Sequence, residues 1–155
     1  MKYTAGILVY RITEGSAQVL LVHPGGPYYA KKDDGVWSIP KGEFDPLTET
    51  DLEVAKREFN EETGNSILSE NFIAMTPVKT KGGKNLQIWA TEADFETPFI
   101  SSNLFEMEWP PKSGIKKEFP ETDKAEWYSF EEARKKLNSS QIPVLDELEQ
   151  MLKSL

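Results

Sequence analysis

The sequence contains no cysteine, which removes disulfides, thiolate zinc sites and cysteine nucleophiles from consideration. It has one histidine, His23, so no multi-histidine metal site can form. Apolar runs are short: none approaches the roughly 18 residues needed to span a bilayer. The stretch from Met1 to Arg11 holds no apolar run of signal-peptide length. The expected location is the cytoplasm, with no membrane partner. Positive charge is the minority sign, with 18 Lys and Arg against 26 Asp and Glu and a formal net charge of −8. A general nucleic-acid binder needs a basic face to neutralise phosphates, so nucleic acid is not the expected partner. A phosphate-bearing small molecule stays open, because a bound divalent cation inverts the local field.

What the chain does have is enough apolar material, 38% of 155 residues, to bury a core, and a single domain over 1–155 is expected. Residues 4–11 and 18–23 read as two strands joined at Glu14-Gly15-Ser16, a hairpin rich in β-branched residues. Pro24-Gly25-Gly26-Pro27 ends it. Trp37-Ser38-Ile39-Pro40 reads as a short strand, residues 41–46 as a loop, and 49–63 as a helix. That helix carries a packing stripe of Leu52, Ala55, Lys56 and Phe59, a cap at Thr48 or Thr50, and a stop at Gly64. Strands near 72–81 and 84–92, an irregular stretch over 95–122 and a last strand at 126–129 follow. Helices over 130–137 and 143–155 close the chain. The fold class is α/β, or α+β, with a mixed β-sheet between helices.

The helix poses an electrostatic problem. Glu58 lies three residues from Glu61 and four from Glu62, so the three carboxylates are neighbours on a helix surface. They repel one another, and near the helix C-terminus they also oppose the macrodipole. A solvated acidic face is the bland explanation. A hard cation with oxygen ligands is the sharper one, since Mg²⁺ takes carboxylates and keeps waters. The adjoining Arg57 can hold a carboxylate through a bidentate pair.

The surrounding residues favour the cation. The stretch Gly42 to Gly64 resembles the Nudix box, Gly-x5-Glu-x7-Arg-Glu-U-x-Glu-Glu-x-Gly-U, where U is aliphatic or bulky apolar. Glu49 is followed by seven residues and then Arg57-Glu58-Phe59-Asn60-Glu61-Glu62-Thr63-Gly64, which match at every fixed position. Two positions depart: six residues rather than five separate Gly42 from Glu49, and Asn65 stands where an apolar residue is usual. An extra residue near Asp45-Pro46 explains the first, and Ile67 or Leu68 can replace the missing apolar contact. Val22 to Pro27, Trp37 to Glu43 and Phe105 to Pro111 add a narrower likeness to small bacterial proteins described as NTP pyrophosphohydrolases.

The resemblance implies a Mg²⁺-dependent hydrolase, Mn²⁺ being a substitute, acting on a nucleoside diphosphate linkage in an NTP or a dinucleoside polyphosphate. It implies Glu58, Glu61, Glu62 and the Gly42 carbonyl as metal ligands, with one of these glutamates or a later one deprotonating water. Arg57 would orient a glutamate, and Glu49 would pair with Arg57 or cap the helix. For a further carboxylate the candidates are Glu118 and Glu121, with Glu118 preferred. Lys41, next to Gly42, is placed to reach a phosphate, although an exposed loop lysine needs no such role. Lys31 and Lys32 are candidates for phosphate contact, and Tyr28, Tyr29 and Trp109 for the walls of a base site. Trp89 and Trp127 read as core, and His23 as structural. The alternative function is a non-catalytic nucleotide-binding or sensing module on the same fold. Retention of every box carboxylate weighs against it. The oligomeric state is not legible.

Overall fold

The computed structural model describes residues 2–154. Strand β1 (Tyr3–Thr13) is buried on both faces from Thr4 to Tyr10. Its apolar run accordingly lies mid-sheet. Glu14 and Gly15, both at positive φ, turn the chain into the antiparallel β2 (Ser16–Pro24). On the other side of β1 lies β6 (Asn85–Glu92), in parallel. Strand β9 (Thr122–Ser129) pairs with β2. Two short pieces, β4 (Ile73–Ala74) and β5 (Val78–Lys79), pair with β6.

The sheet parts where the site forms. β1 pairs with β2 at Tyr10–Thr13, but at Tyr3–Gly6 it pairs with β3 (Lys41–Phe44) instead. Trp37–Pro40 fills the gap between them. Ser38 exchanges backbone bonds of 2.9 Å with Val22, and Ile7 N–H donates to the Pro40 carbonyl at 3.1 Å. The expected strand at 37–40 is therefore a crossing with isolated bridges. The expected loop at 41–46 begins as an ordered strand, because Gly6 has no side chain to hold Pro40 and Lys41 away from β1.

Residues alternate along β1 and β2 between two cores. Ala5, Ile7, Val9, Leu20 and Val22 pack against helix α1 (Asp51–Thr63). Leu8, Tyr10, Val19 and Leu21 pack against α2 (Phe130–Lys136) and α3 (Ile142–Lys153), with a 3₁₀ turn at Ser139–Gln141 between those helices. This is the mixed sheet between helices. The last residue expected in α3, Leu155, lies outside the described residues. Among the described residues, no helix is long and apolar enough to cross a membrane.

Two expectations are corrected here. The strand expected near 72–81 is broken at Met75-Thr76-Pro77, where proline lacks an N–H and Thr76 N–H donates to Glu147 of α3 at 2.8 Å. The stretch expected to be irregular holds a hairpin, β7 (Leu104–Glu108) with β8 (Lys116–Pro120). Its cross-strand partners include Glu108 with Lys116 and Phe105 with Phe119. The ribbon forms a separate two-stranded sheet in which no residue is fully buried.

Candidate active site

Thr50 starts α1 with a capping box: its hydroxyl accepts the Glu53 N–H, and the Glu53 carboxylate accepts the Thr50 N–H, both at 3.3 Å. Gly64 ends the helix in the left-handed region at φ 81°. The stripe that packs keeps Ala55 and Phe59 of the expected one and replaces Leu52 and Lys56. Val54, Ala55, Phe59 and Thr63 are buried, Leu52 is half-buried, and Lys56 is exposed with its ammonium 4.8 Å from the Phe72 ring. The sheet-facing rows are thus Ala55-Phe59-Thr63 and Val54-Glu58-Glu62, each stepping by four residues. The second row begins apolar and ends in two carboxylates beneath β3. What reads in sequence as a solvated acidic face is in part the inner face of the helix.

Gly42 explains how these carboxylates fit. A Cβ there would collide with the Glu58 carboxyl, so only glycine lets β3 lie against it. One residue earlier, the Lys41 backbone N–H donates to Glu62 Oε2 at 3.0 Å. Arg57 organises the outer edge. Its Nη2 reaches both Glu49 oxygens at 3.1 Å and its Nε reaches Oε2 at 3.3 Å. Its Nη1 lies 3.3 Å from Glu58 Oε1 and 3.4 Å from Glu61 Oε1. Glu49 therefore anchors the guanidinium, which in turn holds two of the three helix carboxylates.

Burial, and then the Glu61 charge, raise the Glu58 pKa to about 7. Burial, and then the Glu58 charge, raise Glu62 to about 8. Glu121 is also raised, by partial burial first and by Glu61 second, and its charge acts on Glu58 and Glu62. Glu121 follows the hairpin. Its N–H donates to the Asn103 carbonyl at 2.8 Å, and Asn103 N–H donates to the Glu61 carbonyl at 2.9 Å, tying this segment to the end of α1. Both Glu121 and Glu118 are exposed, Glu118 lying on β8 in register with Glu106. The carboxylate whose charge acts on the helix pair is thus Glu121, where Glu118 was the preferred candidate.

The other candidates separate into groups. Tyr28 and Trp109 meet edge to face with centroids 5.3 Å apart, joining the 25–36 loop to the tip of the hairpin. The Lys32 ammonium lies 5.6 Å from the Tyr29 ring. The Lys32 carbonyl accepts from Nε2 of the fully buried His23 at 2.7 Å, and His23 Nδ1 meets Asp123 at 2.7 Å. His23 thus clamps this loop to β9, in line with a structural part. Trp89 is half-buried and donates to Asp51 at 3.2 Å, and Trp127 packs in the α1-side core under Arg11. Both are half-buried and pack against the α1-side core. Asn65 donates to the Thr97 and Pro98 carbonyls at 2.9 and 3.1 Å. Ile67 packs on the core beside it, whereas Leu68 is exposed.

Among the described residues, no three acidic or histidine side chains are gathered closely enough to form a ready cation cage. The donor chemistry nevertheless suits a hard divalent ion: carboxylates only, partly buried, each raising its neighbours' proton affinity. One consequence is measurable without substrate. Glu58 and Glu62 bind protons more tightly folded than unfolded, so stability in EDTA should fall as pH rises from about 4.5 to about 8. The loss is of order 2–4 kcal/mol for the pair. Urea midpoints at pH 5.5 and 8.5 test this, with Glu62→Gln expected to flatten the slope. A slope that is the same in the variant and the wild type would count against the coupling.

A family model described as NUDIX domain matches residues 2–148, and the chain belongs to the Nudix family. Its class is that of the Nudix hydrolases, enzymes of the pyrophosphohydrolase type. Among solved structures, C. elegans Ap4A hydrolase in a binary complex is similar with a TM-score of 0.70 and 20% identity, covering 100% of both chains. The NUDIX domain of Shewanella oneidensis NrtR complexed with ADP ribose gives a TM-score of 0.65 at 14% identity, over 97% of this chain and 87% of that one. A mutT/nudix family protein from Listeria innocua gives 0.63 at 14%, over 99% and 94%. At such identities the likeness is one of fold. No curated protein sequence matches the chain.

Proposed function

We propose that this chain hydrolyses a nucleoside polyphosphate, an NTP or a dinucleoside polyphosphate, by attack of water on a phosphorus. The observation that carries the reading is the row of Glu58 and Glu62 lying against Gly42, flanked by Glu61 and Glu121, with proton affinities raised by burial and by one another. Glu58, Glu61, Glu62 and the Gly42 carbonyl would hold Mg²⁺, for which Mn²⁺ can substitute. When bound, such an ion neutralises phosphate oxygens, acidifies water and aligns the displacement. Arg57, anchored by Glu49, fixes the orientation of Glu58 and Glu61. Lys41 and Lys32 would contact phosphate, and the Tyr28–Trp109 pair would form one wall for a base. The name of the C. elegans relative, Ap4A hydrolase, supports a dinucleoside polyphosphate among the substrates.

Release of phosphate or pyrophosphate from a nucleotide panel with Mg²⁺ tests the reading. Glu61→Gln and Glu62→Gln with wild-type turnover would remove it. Glu121 is proposed as the carboxylate opposite the helix that accepts the proton of the attacking water. Glu121→Gln should lower kcat by about 10²-fold, whereas Glu118→Gln should leave it within about twofold. Equal losses, or the reverse order, would return the role to Glu118.

A further inference from the structure

β3 has two faces, and the site described above uses one of them. Gly42 faces α1, so its neighbours Lys41 and Glu43 face the other way. On that side a cavity of about 290 Å³ opens between β3, the Lys81–Lys84 turn and the 3₁₀ turn before α3. Lys41, Lys81 and Lys84 line it. Lys84 is paired with Glu43. Lys41 and Lys81 have no carboxylate partner among the described residues.

Thr4 is the second observation. It is the cross-strand neighbour of Glu43, so its side chain shares the Lys41 face and lines the same cavity. It is 3% exposed, and its hydroxyl has no hydrogen-bond partner. Buried hydroxyls without partners are rare and call for an explanation. The neighbouring polar groups are already committed: Gln141 to the Ile39 N–H at 2.8 Å, and the Ser140 hydroxyl to Asn138 at 2.6 Å. What the cavity offers is the Lys81 ammonium, the Lys41 ammonium, whose field also acts on Glu43, Glu58 and Glu62, and one unpartnered hydroxyl. Its volume lies at the lower limit for ligand pockets, room enough for phosphate groups.

We propose that this cavity binds the uncleaved terminal phosphates of the substrate, with Lys41 and Lys81 on phosphate oxygens and the Thr4 hydroxyl donating to one of them. The proposal rests on the reading that the α1-side carboxylates carry the cleavage, and it deepens that reading. Lys41 joins the two places: its N–H bonds Glu62 while its side chain lines the cavity. A chain of several phosphates can serve both sides of β3 through this junction. The site accordingly selects triphosphates and longer chains over diphosphate-linked sugars.

Calorimetric titration of inorganic tripolyphosphate and orthophosphate into the protein in EDTA tests this without turnover. Tripolyphosphate should bind more tightly than orthophosphate. Lys81→Ala should weaken it about tenfold, and Thr4→Val about threefold. Thr4→Val conserves shape and breaks no hydrogen bond, so its unfolding midpoint should match the wild type or exceed it. Glu43→Gln should tighten binding by freeing Lys84. Glu62→Gln should leave tripolyphosphate binding within about twofold. Lys81-dependent binding in a protein that turns over no nucleotide would sink the catalytic reading and keep this site. Turnover of nucleotides with tripolyphosphate affinity unchanged in both Lys81→Ala and Thr4→Val would overturn the site and keep the catalytic reading.

Discussion

Glu62→Gln is expected to lower turnover by about 10²–10⁴-fold while making the metal-free protein more stable at pH 8. Glu62 lies in the sheet-facing row of α1, accepts the Lys41 N–H at 3.0 Å, and has its pKa raised to about 8. Glutamine keeps the shape and can still accept that hydrogen bond. It removes a charge that the fold tolerates poorly and that a cation needs. The expected gain is roughly 2 kcal/mol at pH 8. It should vanish near pH 5, where the wild-type carboxyl is already protonated. Steady-state kinetics with Mg²⁺ and urea unfolding in EDTA, at both pH values, measure the two halves separately. A variant that is inactive but less stable at pH 8 would mean a structural carboxylate, and one as active as the wild type would mean no role at all.

Gly42→Ala should be nearly silent in stability and severe in activity. The added methyl meets the flexible end of the Glu58 side chain rather than backbone, so Glu58 can swing away at small cost, about 1 kcal/mol or less. The carboxylate is then displaced from the row it shares with Glu62. A displacement of about 1 Å in such a site costs on the order of 10²-fold in rate. The expected signature is kcat/KM down by about that factor with an unfolding midpoint close to wild type. Full activity would show that Glu58 need not lie against β3. Collapse of the fold would show that the Gly42 contact is structural first.

Much of the helix chemistry was legible in the sequence, because it depends on spacing alone. Three carboxylates at i, i+3 and i+4 must be neighbours on a helix, and Gly64 is where such a helix ends. The pairing of Arg57 with Glu49 was available as one of two readings for Glu49, which lies just before the Thr50 cap and folds back along the helix. The packing stripe misled. Leu52 is the more apolar residue, yet Val54 is the one that faces the sheet, because β3 lies across the end of the helix and turns the Glu58 row inward.

Length, composition and periodicity by themselves determined the layered α/β class, the β1–β2 hairpin, the acidic helix with its capping start and glycine stop, and the exclusion of thiol and multi-histidine chemistry. These follow from local geometry and from which residue types are present. Tertiary structure alone decided the rest. Glu121 acts on the helix carboxylates because the segment after the β7–β8 hairpin is tied through Asn103 to the end of α1. Glu58 and Glu62 hold their protons tightly because β3 covers them. The lysines of a distant turn share a cavity with Lys41 because β3 and β6 pair on opposite sides of β1. Each depends on which residues a sheet brings together across tens of positions, and no local spacing records that.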